Sequence, residues 1–266
     1  MKAPRMHLGT LAIAALILVF AAGAVKATDL ALTGLVGLWR LDDGSGVLAA
    51  DSGGLNNNGL VVGSAYFTTD PQMGEVLEIA GPSGAMLIPH NASLEPPTGT
   101  IMIWVKPSRV QVSEIVSKNT SRLVRRGQDY GMYAYDLRIT KAGAAVAIIT
   151  NDDPAAQYAW TILEGPKGKV KAHQWTHLAM RWDGNNLSLF VDGKQVASKP
   201  YLAVPGSGLS YGGNFDLKVG AAIWDFGDGW LEYSGDLSDL RFYGRPLTDA
   251  EIFGLYALKA PPGQGK

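Results

Sequence analysis

The stretch Gly220 to Gly235, GAAIWDFGDGWLEYSG, carries the side chains best suited to chemistry with a polyhydroxylated ligand. Trp224, Phe226, Trp230 and Tyr233 can offer aromatic faces to the C–H surface of a sugar ring. Asp225, Asp228 and Glu232, interleaved with them, can accept hydrogen bonds from its hydroxyls. The glycines make the stretch a loop, where aromatic residues are harder to assign to a core than Trp39, Trp104, Trp175 and Trp182, which sit in strand-like runs and read as core. Trp224, Asp225, Asp228, Trp230, Glu232 and Tyr233 are therefore the candidate ligand-binding residues. A loop that packs its own aromatics down as a lid is the structural alternative. Tyr211 and the Tyr158/Trp160 pair are secondary candidates.

Other chemistry finds less support. Glycoside hydrolysis needs two carboxylates about 5 to 9 Å apart across the scissile bond. Glu75 and Glu78 have opposite parity on a strand, and Glu232 and Asp236 straddle Gly235 at a strand start. A pair could still come from separate strands. Nucleophilic triads lack their parts: beyond the N-terminal segment only His90, His173 and His177 remain, and no G-x-S-x-G elbow or P-loop occurs. No catalytic residue is assigned. Calcium is the cofactor the acidic loops could take, through Asp42, Asp43 and Asp51 in DDGSGVLAADSGG together with Asp239 near the end of the chain. The same Asp and Ser residues could instead cap turns without metal.

The elements that would position these residues are short strands. Trp175–Trp182 alternates Thr176, Leu178, Met180 and Trp182 on one face with Trp175, His177, Ala179 and Arg181 on the other. Asp183-Gly184-Asn185-Asn186 turns the chain, Leu187–Val191 returns, and Asp192-Gly193 is a hairpin signal leading into Lys194–Ser198. Further strands are expected over Leu35–Leu41, Leu60–Phe67 with an interruption at Gly63-Ser64, and Thr100–Lys106. Val76–Ile79 and Ala85–Ile88 are expected to pair around Gly81-Pro82-Ser83-Gly84. Glu114–Ser117, Met132–Thr140, Ala144–Thr150, Tyr158–Leu163, Phe215–Ala221 and Gly235–Tyr243 continue the series. Thr248-Asp249-Ala250-Glu251 is a capping box that opens the one helix, with Ile252, Leu255 and Tyr256 as its apolar stripe.

At the N-terminus, Lys2 and Arg5 precede an apolar run from Leu8 to Val25, and Ala27 closes a cleavage pattern. Residues 1–27 read as a secretory signal peptide, with an uncleaved anchor as the alternative. The domain is then 28–258 and residues 259–266, ending PPGQGK, a disordered tail. Without Lys2, Arg5 and Lys26 the 23 basic residues fall to 20 against 24 acidic ones, a formal net of −4. That opposes nucleic acid as a partner; Lys118, Arg122, Arg125 and Arg126 read as a solvated loop. There is no cysteine, which removes disulfides and thiolate chemistry. The expected location is secreted, periplasmic or cell-envelope, with no stable membrane span after cleavage.

The W-x-H-L-A-x-x-W-D-G pattern at 175–184, followed by L-x-L-F-V-D-G at 187–193, resembles the central signature of the laminin G-like jelly roll of the concanavalin A-like lectin/glucanase superfamily. GLVGLWRLDDGSG with ADSGGLNNNG (34–59) resembles that family's opening strand and loop. SGDLSDLRFYGRPLTDAEIFGLY (234–256) resembles its last strand and closing helix. The resemblance implies an all-β fold, an antiparallel β-sandwich of jelly-roll type with a short C-terminal helix. It also implies that His177 is structural, that the 220–235 loop joins the last two strands, and that the first and last strands lie side by side near the acidic loop. Ser238 stands where the family often has Asp, which removes one candidate calcium ligand. The superfold hosts binding modules, adhesins and hydrolases alike. The expected function is an exported, non-catalytic domain binding a glycan or a cell-surface or envelope component. A glycoside hydrolase with carboxylates from separate strands, or a purely structural envelope protein, is the alternative.

Overall fold

The structure, a computed structural model, describes residues 32–125, 128–151, 159–201, 209, 214–221 and 232–264. Residues 1–27, expected from sequence to be a signal peptide, lie outside them. Gly34–Lys266 forms one unit by its contacts. Its first strands are β1 (Leu35–Trp39), β2 (Leu48–Ala49), β3 (Gly59–Val62), β4 (Ala65–Asp70), β5 (Gly74–Ile79) and β6 (Ala85–Ile88). Then follow β7 (Gly99–Pro107), β8 (Ser113–Arg125), β9 (Gln128–Ile139), β10 (Ala145–Asn151) and β11 (Ala159–Glu164). The last are β12 (Thr176–Trp182), β13 (Asn186–Val191), β14 (Lys194–Pro200), β15 (Leu217–Val219) and β16 (Gly235–Tyr243), with helix α1 over Asp249–Lys259. Sheet A runs β14-β13-β12-β7-β16-β5-β4, with β1 also on β16; sheet B runs β11-β10-β9-β8-β15-β6-β3-β2. All named pairs are antiparallel. This is the expected β-sandwich.

Alternation explains the core. Leu178, Met180 and Trp182 of β12 lie opposite Ile103, Ile101 and Gly99 of β7, and the apolar ones join one inter-sheet cluster with Leu189, Leu137 and Phe242. Gly99 is required there, because a Cβ at that position would lie 2.4 Å from the Trp182 ring. The opposite parity, Trp104 with Trp175, points out of the sandwich and forms a second cluster with Val76, Met73 and Tyr256 under α1. Tyr256 stacks on Trp104 with centroids 5.4 Å apart. The capping box is present, Thr248 receiving the Glu251 amide and Glu251 the Thr248 amide. Lys259, assigned to the tail from sequence, closes the helix, Pro261 is buried and Gln264 Nε2 donates to Trp175 O.

Two local expectations are corrected. Leu60–Phe67 is not one interrupted strand: β3 belongs to sheet B and β4 to sheet A, so Gly63-Ser64 is a crossing between sheets. Likewise β5 and β6 do not pair; they lie in opposite sheets across Gly81–Gly84. The two crossings run against each other, joined by Ala80 N donating to Ser64 O (2.8 Å). The approach is so close that a Cβ on Gly63 (φ 61°) would overlap Ser83 O. A hairpin and a sheet crossing have similar turn composition, and only tertiary packing separates them.

β16 organises sheet A. Its first residues pair with β5 and its last with β1, while β7 lies along its other side. The change of partner falls at a bulge where Asp239 has φ 51° and its amide donates to Arg40 O (3.1 Å).

Candidate functional site

The loop singled out from sequence leaves sheet B after β15 and enters sheet A at β16, and both ends are held. Tyr233 N donates to Gly220 O (2.9 Å), closing its neck. Ser83 N donates to Glu232 Oε1 (2.8 Å) and Gln111 Nε2 to Glu232 O (2.9 Å), so Glu232 ties the loop to the β5–β6 crossing. Ser108 N donates to Ser234 O, and their hydroxyls are 2.7 Å apart. Tyr233 is buried in the sandwich core, its hydroxyl donating to Asp236 O (2.9 Å), so its ring anchors the loop and presents no face to solvent. Burial pushes its pKa well up, with Asp236 adding to the rise. Trp224, Asp225, Asp228 and Trp230 lie outside the described residues, as does Tyr211. Trp160 is described and 43% exposed, at the far edge of sheet B.

Beside the loop's return is a cleft of about 260 Å³, lined by Gly81, Pro82, Ser108, Arg109, Glu232 and Ser234 among others. One step further along the strands, Tyr66, Glu78, Asp236 and Lys106 stand in a single register row across β4, β5, β16 and β7. All four share the face of sheet A opposite the sandwich core, because Phe67, Leu77, Leu237 and Val105 beside them are core residues. Two carboxylates directly opposite each other repel. Here each has a partner. Lys106 Nζ donates to Asp236 Oδ2 (2.8 Å) and to Asp70 Oδ2 (2.7 Å). The Glu78 carboxylate beside the Tyr66 hydroxyl raises that phenol's pKa. Burial alone would raise Asp70, but hydrogen bonds from Lys106, Trp175 and the amides of Gln72 and Met73 outweigh it and hold the carboxyl low. Burial alone would lower Lys106, and its two Asp partners outweigh that. The row and cleft together offer hydroxyl acceptors, hydroxyl donors and the half-exposed ring of Tyr66. Sequence reasoning weighed Glu78 and Asp236 separately and missed their juxtaposition, since cross-strand register is not written in either segment.

The acidic residues proposed for calcium do not converge. Asp51 Oδ1 accepts from the Leu38 and Gly53 amides (2.9 and 2.7 Å) and its Oδ2 from Asn57 N (3.0 Å). Asp43 Oδ1 accepts from Ala50 N, Asp42 is exposed, and Asp239 Oδ2 receives Arg241 Nε at 3.0 Å. Among the described residues no group of three or more His, Cys, Asp or Glu is placed to hold a metal ion. The first and last strands do lie side by side, but Asp51 there organises the turn that follows β1. His177 is buried between Trp104 and Tyr256, and burial with nearby Arg241 lowers its pKa to about 3, so it is neutral.

The chain matches, over residues 80–253, the family model described as the concanavalin A-like lectin/glucanases superfamily. Together with its two-sheet sandwich, this makes it a member of that superfamily. No curated protein matches it. Among solved structures it is similar to the binding domain of Paraclostridial Mosquitocidal Protein 1, with a TM-score of 0.62 at 12% identity. That match covers 85% of this chain and 52% of the other, so the chain spans about half the length of that binding domain. It is also similar to domain 4 of AbnA, a GH43 extracellular arabinanase from Geobacillus stearothermophilus, solved with arabinotriose. There the TM-score is 0.54 at 18% identity, covering 82% of this chain and 96% of the other. A Trypanosoma rangeli sialidase mutant displaying trans-sialidase activity matches with a TM-score of 0.59 at 15% identity, over 84% of this chain and 33% of its own. At such identities the likeness is one of fold. No helix among the described residues is long and apolar enough to cross a membrane.

Proposed function

We propose that the chain is an exported, non-catalytic carbohydrate-binding domain whose ligand lies in the cleft at the root of the 220–235 loop. The observation that carries this reading is the joining of an aromatic, acidic loop to a row of carboxylate and hydroxyl groups on rigid strands. Binding of a sugar needs such acceptors beside an aromatic platform. Glu232, Tyr233 and Ser234 are held in place by their own hydrogen bonds at the loop's return, so the groups beside the cleft are preorganised for a ligand. The arabinanase domain supports the reading, because a domain of matching extent and fold was solved with an arabinose oligomer. The N-terminal apolar run supports export. A glycan array on the purified domain, with arabinan oligomers included, tests the proposal. Binding of a defined sugar, weakened by Trp224→Ala, is the expected result; no binding to any glycan sinks it.

One observation favours a hydrolase as the second reading. Glu78 and Asp236 are carboxylates at directly paired positions of separate strands on one face, where Cβ atoms lie about 5 Å apart, and glycoside hydrolysis uses a pair of acids. Turnover of a polysaccharide that disappears in Asp236→Asn would establish it.

A further inference from the structure

Glu114 and Asp136 are fully buried, although they lie on the face of sheet B that points away from the sandwich core. Leu137 and Ile139 alternate with Asp136 and Arg138 along β9 and belong to the core, which fixes the outward direction of the charged pair. Glu114 is directly opposite Arg138, and Ser117 directly opposite Asp136. The row through Ser117 continues to Lys218 and Leu87 on one side, and the row through Asp136 to Ile148 on the other.

Arg138 is committed unequally. Its Nε lies 3.0 and 2.9 Å from the two oxygens of Asp136, and its Nη2 lies 2.6 Å from Oδ2. The same Nη2 approaches Glu114 Oε1 to 3.1 Å, but among the described residues neither oxygen of Glu114 accepts a well-aligned hydrogen bond, and the Ser117 hydroxyl stands beside it. Ionised, Glu114 would be a second buried negative charge, with only the Ser117 hydroxyl to support it, beside one guanidinium already closed on Asp136. A buried charge so placed is strongly disfavoured, and the group takes up a proton instead.

We propose that Glu114 carries a proton at neutral pH, so that Glu114, Asp136 and Arg138 form a buried proton-binding site with no net charge. Raising the pH removes that one proton to solvent and leaves the group at −1. Protonated, Glu114 gains a donor for the Asp136 carboxylate. Among the described residues the groups that face it are Ser117 on its own strand, Asp136 and Arg138 on β9, and Lys218 on β15 beyond Ser117. From β10, opposite Arg138 and Asp136, come only Val146 and Ile148. The direction of titration agrees: burial first and Asp136 second raise Glu114 to about 8, against the lowering effect of Arg138. Asp136 is raised as well, by burial.

The consequence is a stability that depends on proton retention. The unfolded chain releases the Glu114 proton near its ordinary pKa of 4.5, while the folded chain keeps it to about 8. Between those values the folded state binds more protons, so stability falls as the pH rises and levels off above about 8. Thermal unfolding of the full chain and of Glu114→Gln, from about pH 5 to about pH 9, tests this. The neutral Gln should remove that slope, so the midpoint of the variant should gain on the native protein steadily until about pH 8. A difference that stays constant across the range overturns the proposal. Should the variant not fold, unfolding of the native chain near pH 7, by calorimetry in buffers of different ionisation enthalpy, gives the answer. Release approaching one proton per chain supports the site, and no release overturns it.

Discussion

Single side chains divide the candidate site into parts that bind and parts that hold. Trp224 and Trp230 are the aromatic faces the proposal depends on, and replacing either by Ala should weaken glycan binding by about 1–3 kcal/mol, as for an aromatic hot spot. Isothermal titration would read that loss, and the unfolding midpoint should hardly move. Tyr233 should behave in the opposite way. It is buried and donates to Asp236 O, so Tyr233→Phe removes a hydrogen bond and leaves the ring in place. A stability loss of about 1 kcal/mol with little change in affinity is expected, measured by denaturant unfolding beside the same titration. Asp70 is a holding residue too: it receives Lys106 Nζ, Trp175 Nε1 and two amides.

At the level of elements, the interlocking of β7, β12 and α1 decides stability. Gly99 faces the Trp182 indole, which is stacked on Tyr135 at 5.4 Å and has no room to retreat. Gly99→Val should therefore destabilise the fold by about 1–3 kcal/mol through overpacking. A chemical denaturation curve with an unchanged midpoint would show that the contact relaxes. On the other side of sheet A, α1 covers Trp104 and Trp175 with Tyr256. Tyr256→Ala should lower stability by about 3 kcal/mol, the range for truncating a buried aromatic. Because Tyr256 is on the helix and the cleft is beside the β5–β6 crossing, glycan affinity should survive wherever the variant remains folded.

For the whole molecule, two buried groups shape the response to pH from opposite sides. His177 is held neutral with a pKa lowered to about 3, while the unfolded chain binds its proton near 6.5, so stability falls as the pH drops between those values. The Glu114 site gives the opposite slope between 4.5 and about 8. The two slopes oppose each other over the shared interval from about 4.5 to 6.5. A stability plateau there, falling on both sides, is the expected outcome of thermal unfolding across the pH range. His177→Gln should weaken the acid limb and, with one of the two opposing slopes gone, let stability fall as the pH rises across the former plateau. Calcium should not alter this profile, because Asp51 and Asp43 accept backbone amides and Asp239 receives Arg241. Comparing the midpoint in calcium and in chelator checks that, and a rise of several degrees would place a metal on the domain.

The sequence by itself determined the strands, their parity and the closing helix, because these follow from local periodicity and turn chemistry, and its resemblance to the laminin G-like family implied the β-sandwich. Thr176, Leu178, Met180 and Trp182 alternate toward the core as written, and Thr248 with Glu251 forms the capping box. It also placed the loop whose roots border the cleft. Which strands share a sheet was decided only by tertiary packing: Gly63-Ser64 and Gly81–Gly84 read as a break and a hairpin, and both are crossings between sheets. Cross-strand register, set by the packing of whole sheets, brought Glu78 opposite Asp236 and Glu114 opposite Arg138 from segments with no mark of one another. Burial, which is a property of the packed chain and not of any residue type, turned Glu114 from an ordinary acid into a group that keeps its proton.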